Sequence, residues 1–169
     1  MRLTPSAEEL QTIKKLNLRD PWIWLATWGG HGFMKPAPGT WGSVGALPFA
    51  VIFHVLGGPF LLLIAIIALY FLGLRATEKF QKQTGTQDSA MIVVDEVVGQ
   101  WIPLLAFTMD PFHVLISFIF FRFFDIVKPW PVSWCDQKLP GAKGVMLDDV
   151  AAGLYALLCV IGLQYAGLG

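Results

Sequence analysis

Five carboxylates stand where an apolar chain would not be expected to carry them. Asp95 and Glu96 interrupt the run MIVVDEVVGQWI, Asp125 lies inside FRFFDIVKPWP, and Asp148 and Asp149 precede AAGLYAL. An unpaired carboxylate at the centre of a bilayer costs about 2.5 to 3.5 kcal/mol on insertion scales, so five such groups call for a cation or for protons. Oxygen ligands of high charge, with no Cys or His clustering, suit a hard ion such as Mg²⁺, which keeps some of its waters and bridges to phosphate. Asp88 precedes Asp95 by seven residues and is expected on the same helical face as a further acid. Glu8, Glu9, Asp20, Glu78 and Asp136 lie in polar surroundings and read as solvated surface, and Asp110 reads as a turn residue before Pro111.

The cations form a second pattern. Arg122, Asp125 and Lys128 recur every three residues and are expected on one stripe of a helix that Pro129 and Pro131 then stop. Such a stripe is either a phosphate clamp with a carboxylate between two cations or a local ion triad at the membrane edge. Plainer roles also exist for the acids: Asp95 and Glu96 in a helix-end salt bridge, and Asp148 as a helix cap. KPAPGTWGS, residues 35–43, is a Pro/Gly-constrained loop offering Lys35, Thr40 and Ser43 beside a helix start, where backbone N–H groups bind phosphate well. It lacks the Walker pattern, so nucleotide binding is not indicated. His31, His54 and His113 share no metal-ligand spacing, and Cys135 and Cys159 read as free thiols.

The elements that must position these groups are apolar. Of 169 residues 55% are hydrophobic and only 14% charged, against about 25% charged in soluble domains, which argues for lipid as solvent. The formal charge is zero, so no basic excess argues for nucleic acid. Residues 5–18 carry a helix start signal and apolar spacing, suggesting a short amphipathic helix on the membrane surface, and residues 20–34 suit an interfacial segment. The N-terminus lacks the uninterrupted apolar core of a signal peptide. Hydrophobic segments follow at 43–56, 60–74, 91–109, 112–124 and 145–168. The first, at fourteen residues, would reach only ~21 Å against a hydrocarbon core of roughly 30 Å, so it either spans a thinned bilayer or is re-entrant; two spans broken at Gly57-Gly58-Pro59 are the preferred arrangement. With five segments, all twelve Lys and Arg fall on one side, which the positive-inside rule assigns to the cytoplasm. The expected fold is therefore all-α: a polytopic membrane helix bundle of about five hydrophobic helices with a short N-terminal amphipathic helix. Residues 1–20 form a cytoplasmic lead-in and 21–169 a single membrane-embedded domain.

Four ordered motifs, KPAPGTWGS at 35–43, IVVDEVVGQW at 92–101, FRFFDIVKPWP at 121–131 and GVMLDDVAAGLYA at 144–156, make the chain resemble the phosphatidylglycerophosphatase A family from about residue 21 to residue 165. The resemblance implies a Mg²⁺-dependent phosphatase of the bacterial inner membrane. It would remove the terminal phosphate of phosphatidylglycerophosphate, a phospholipid substrate, at a site facing the cytoplasm. On this reading Asp95, Glu96, Asp148 and Asp149 supply most metal ligands, with Asp88 as a possible addition. Arg122 and Lys128 hold the phosphate while Lys35, Thr40 and Ser43 close the other side. Asp125 serves as general base or further ligand, and water is the expected nucleophile because no Ser/His or Cys/His pairing is evident. The alternatives are another lipid-phosphate enzyme resembling the CDP-alcohol phosphotransferases, whose spaced signature is missing, and a small cation transporter or channel, which acids clustered at the cytoplasmic edge disfavour.

Overall fold

The computed structural model describes residues 4–106 and 110–167, and among these every regular element is helical. Helix α1, Ala7–Lys15, begins with the expected signal: Ser6 accepts from Glu9 N–H at 3.2 Å and Glu9 accepts from Ser6 N–H at 2.8 Å. It stops sooner than residue 18, and Thr12 and Leu16 are buried against the protein. Lys15 donates to the Thr84 carbonyl at 3.0 Å and Asn17 N–H to Gln83 at 2.8 Å, so the lead-in is docked on the end of a later helix. Helix α2, Pro21–Ala26, is capped by Asp20 and buries Ile23 and Ala26 while leaving Trp24 half exposed. A short 3₁₀ turn, His31–Phe33, follows.

Helix α3 runs from Pro38 to Thr84 and is broken at Gly57 and Gly58, where φ reaches +64° at Gly58. Its two arms, residues 38–56 and 59–84, would measure about 28 and 39 Å at 1.5 Å per residue. The first arm is longer than the apolar stretch alone suggests because Pro38 starts the helix five residues before Ser43. Gly85, in the left-handed region, ends the second arm.

The third hydrophobic segment is not one long helix. Helix α4, Val94–Trp101, has eight residues and a length of about 12 Å, and Pro103 opens a separate 3₁₀ turn, Pro103–Leu105. Residues 107–109 lie outside the described part. Val94, Val97, Val98, Gly99, Gln100 and Trp101 are all buried, so α4 is a core element wrapped by its neighbours. Helix α5, Pro111–Val127, starts at the Asp110 cap and spans about 25 Å. Helix α6, Val132–Lys138, occupies a stretch the sequence pattern leaves as polar loop, and α7, Ala142–Tyr165, begins three residues before the expected segment.

Among the described residues two helices, α3 and α7, are long and apolar enough to cross a membrane. Their outward faces and that of α5 carry exposed apolar side chains, among them Val55, Leu56, Phe60, Phe71, Ile126 and Leu158, a pattern that suits contact with lipid tails.

Candidate functional site

The site is built where α4 crosses α7. A methyl group added at Gly153 would lie 2.5 Å from the Gly99 carbonyl oxygen, and one added at Gly99 would lie 2.7 Å from the Asp149 carbonyl oxygen. Glycine at both positions lets the two backbones touch. The first turn of α4 therefore brings Asp95 and Glu96 against Asp149 of α7, and one oxygen from each of the three lies within 4.8 Å of the others.

Two of these acids are buried, Asp95 at 8% exposure and Asp149 at 3%, and Glu96 is half-buried. Glu96 Oε2 is buried and has no hydrogen-bond partner. Three carboxylates at this separation repel one another unless a cation or shared protons intervene, and an orphaned carboxylate oxygen inside the protein is costly. An all-oxygen donor set of this charge fits a hard divalent cation.

Asp148 stands beside the cluster without joining it. Its Oδ2 accepts from Lys128 Nζ at 2.8 Å, and its Oδ1 accepts from Asp149 N–H at 3.0 Å. Because α7 starts at Ala142, neither Asp148 nor Asp149 caps it; both lie in its second and third turns, so the capping role is excluded. Asp88 belongs to the loop before α4 and not to a helical face shared with Asp95, since α4 starts at Val94. It reaches the same space by another route, as part of the cavity wall.

That cavity has a volume of about 380 Å³, within the size range of small-molecule sites. Seven carboxylates line it, Asp88, Asp95, Glu96, Asp125, Asp136, Asp148 and Asp149, against two lysines, Lys128 and Lys138. Asp136, read from sequence as ordinary surface, accepts from Lys128 Nζ at 2.6 Å. It stands eight residues from Lys128 across two prolines, a spacing with no helical or strand period to reveal it. Lys128 is thus shared by two carboxylates: burial alone would lower its pKa, but the hydrogen bonds and charges of Asp136 and Asp148 outweigh that and raise it.

The expected stripe of Arg122, Asp125 and Lys128 holds only in part. Arg122 Nη1 lies 2.7 Å from Asp125 Oδ2, one turn along α5. Lys128, however, is the left-handed C-cap of α5 at φ +46°, which turns it away from the stripe toward α6 and α7. Phe121 packs in a core cluster with Val132, Ala152 and Ala156, and Phe123 is exposed.

Arg122 also donates to Ser43 Oγ at 3.4 Å, and Ser43 donates to the Gly39 carbonyl at 2.9 Å. A methyl group at Gly39 would lie 2.2 Å from Glu96 Oε1 and 3.4 Å from Arg122 Nη1, so the start of α3 presses directly on the Glu96 carboxylate. The 35–43 loop is thereby joined to the acidic cluster through Gly39, a residue whose role no side-chain chemistry announces. Arg122 Nε is buried without a partner. Thr40 is half-buried in the first turn of α3. Lys35 points elsewhere: its Nζ is 2.5 Å from Glu9 Oε1 of α1. Lys35, Thr40, Ser43 and Arg122 are absent from the cavity wall, which Asp125 and Lys128 do line. His31 contacts the Trp28 carbonyl and His113 pairs with Asp110, consistent with structural roles, and both cysteines are free.

The family profile described as Phosphatidylglycerophosphatase A matches residues 24–164. The chain is 39% identical over 158 residues to Phosphatidylglycerophosphatase A of Haemophilus influenzae, covering 93% of this chain and 97% of that one. It is 36% identical over 141 residues to the protein of the same name from Escherichia coli, covering 83% and 81% respectively. A protein of Bacteroides thetaiotaomicron with the provisional name phosphatidylinositol-3-phosphatase is 37% identical over 147 residues, covering 82% of this chain and 90% of its own. No solved structure matches the chain.

Proposed function

The chain belongs to the phosphatidylglycerophosphatase A family, and from that premise we propose that it hydrolyses phosphatidylglycerophosphate to phosphatidylglycerol and inorganic phosphate with Mg²⁺ as cofactor. The observation that carries the mechanism is the convergence of Asp95, Glu96 and Asp149, oxygens within 4.8 Å, at a cavity of about 380 Å³. These three hold the ion, with Asp148 available as a fourth ligand. Bound there, Mg²⁺ supplies positive charge to the phosphate oxygens and makes water a better nucleophile.

The protein's own groups do the rest. Lys128 takes the terminal phosphate from the cavity wall, and Arg122 reinforces that pull from the far side of Glu96 and Asp125. Arg122 also orients Asp125 through Oδ2, leaving Oδ1 to accept a proton from water as the water oxygen bonds to phosphorus and to pass it to the glycerol oxygen as the phosphorus–oxygen bond to glycerol breaks. Ser43 and Gly39 fix Arg122 and Glu96 relative to each other. Lys35, tied to Glu9, and Thr40 complete the loop that supports this side.

The membrane arrangement belongs to the same proposal. The two arms of α3, the α4 segment, α5 and α7 form five membrane-embedded segments of a multi-pass protein in the bacterial cytoplasmic membrane, with the site on the cytoplasmic side. Support comes from the twelve cations, which that arrangement gathers on one side, and from the exposed apolar faces.

Phosphate release from phosphatidylglycerophosphate by the purified protein in detergent, with Mg²⁺ and with excess EDTA, tests the reading. Phosphatidylinositol 3-phosphate as parallel substrate checks head-group choice. Release that requires Mg²⁺ is expected; a folded protein that releases none would sink the proposal.

A further inference from the structure

Lys128 has two carboxylate partners of different kinds. Asp148 belongs to α7 beside the acidic cluster, and Asp136 belongs to α6; both accept from the same ammonium. Helix α6 is a fixed platform: Val132 is fully buried among Phe121, Ala152 and Ala156, and Tyr155 donates to the Trp130 carbonyl at 2.8 Å, fastening the turn between α5 and α6. The backbone that carries Asp136 is therefore anchored by contacts outside the acidic cluster. Charge-assisted hydrogen bonds of 2.6 and 2.8 Å to one ammonium compete for it.

We infer that Asp136 is a positioning residue that shares Lys128 with Asp148, so that Lys128 can release Asp148 to a divalent cation without leaving the cavity. Without Asp136 the ammonium rests wholly on Asp148 and competes with the cation for that carboxylate. The inference rests on the proposed cation site, and it assigns to Asp136 an effect that runs through Lys128 and not through its own charge.

A double-mutant cycle read by Mg²⁺ binding, not by turnover, separates these possibilities. Isothermal titration of the purified full-length protein with MgCl₂ is expected to show Asp136→Asn binding roughly tenfold more weakly, the scale of one redistributed charged hydrogen bond. Lys128→Met, which removes the competitor, is expected to bind Mg²⁺ more tightly than the parent. In that background Asp136→Asn should change affinity by less than about twofold, the additivity limit for uncoupled sites. Asp136→Glu, which keeps a carboxylate within reach, should recover most of the loss and guards against a variant that merely misfolds. An equal loss in both backgrounds would mean that Asp136 acts by its own charge, and no loss in either would mean that it does not act at all; both overturn the inference while leaving the cation site standing. A parent protein that binds no Mg²⁺ overturns the cation site, and this inference with it.

Discussion

Replacing Gly99 by alanine tests whether the crossing of α4 and α7 sets the geometry of the acidic cluster. The added methyl group would lie 2.4 Å from Cε2 of Phe121 and 2.7 Å from the Asp149 carbonyl oxygen. Carbon contacts settle near ~3.5 Å, so the helices must separate, or Phe121 must move, by about 1 Å. Phe121 is fully buried, and the carbonyl is backbone, so neither yields freely. Overpacking of this kind costs about 1 to 3 kcal/mol of stability. A misplacement near 1 Å between Asp149 and the Asp95–Glu96 pair is worth on the order of a hundredfold in turnover. The assay is kcat on phosphatidylglycerophosphate beside thermal unfolding in the same detergent. Gly162→Ala is the control, because a methyl group there, on the same α7, meets nothing within 4 Å; it should leave turnover unchanged and add up to about 1 kcal/mol of helix stability. Parent-like turnover and Mg²⁺ requirement in Gly99→Ala would refute the idea that this contact positions the cluster.

Asp95→Asn and Asp149→Asn should each lower turnover by on the order of a hundredfold or more while membrane insertion, followed by fractionation, stays intact; near-parent activity in both would remove them from the site. The Glu9–Lys35 pair gives a pH signature. Its hydrogen bond from Lys35 holds Glu9 below the ordinary value of 4.5, so its contribution is present above that value and is lost as pH falls through the lowered one. Protection factors of α1 amides in hydrogen exchange should drop at acid pH in the parent and show less pH dependence in Glu9→Gln. Chelation with EDTA should abolish phosphate release and Mg²⁺ should restore it, whereas restoration by Zn²⁺ alone would contradict a hard oxygen site.

Local signals were readable in the chain. Ser6 with Glu9, Asp110 before Pro111 and Gly85 each act through the nearest few residues, and each ends or starts a helix as its chemistry requires. Asp95, Glu96 and Asp149, each marked in the sequence as an acid in or beside an apolar run, lie together in space. What escaped depends on contacts distant in sequence or on backbone conformations that side-chain type does not reveal. Lys128 leaves its stripe because it adopts a left-handed cap, and Lys35 is taken by a helix twenty-six residues earlier. Helix α7 starts behind Gly141 with no side-chain cap, so its first turn carries no sequence signal and the Asp148–Asp149 pair lies farther inside it than the apolar pattern suggests. Helix α6 is short, and only Val132 among its residues is buried, which leaves too little periodicity to distinguish it from a loop.

The imbalance in the cavity wall has a kinetic consequence. Seven carboxylates against two lysines make a formal charge of −5, and an anionic head group approaching that wall meets a barrier instead of an attractive field. Cations entering first convert the barrier into a funnel. Association would then be ordered, with the divalent ion preceding the lipid, and free Mg²⁺ would act on the rate of encounter as well as on the chemical step.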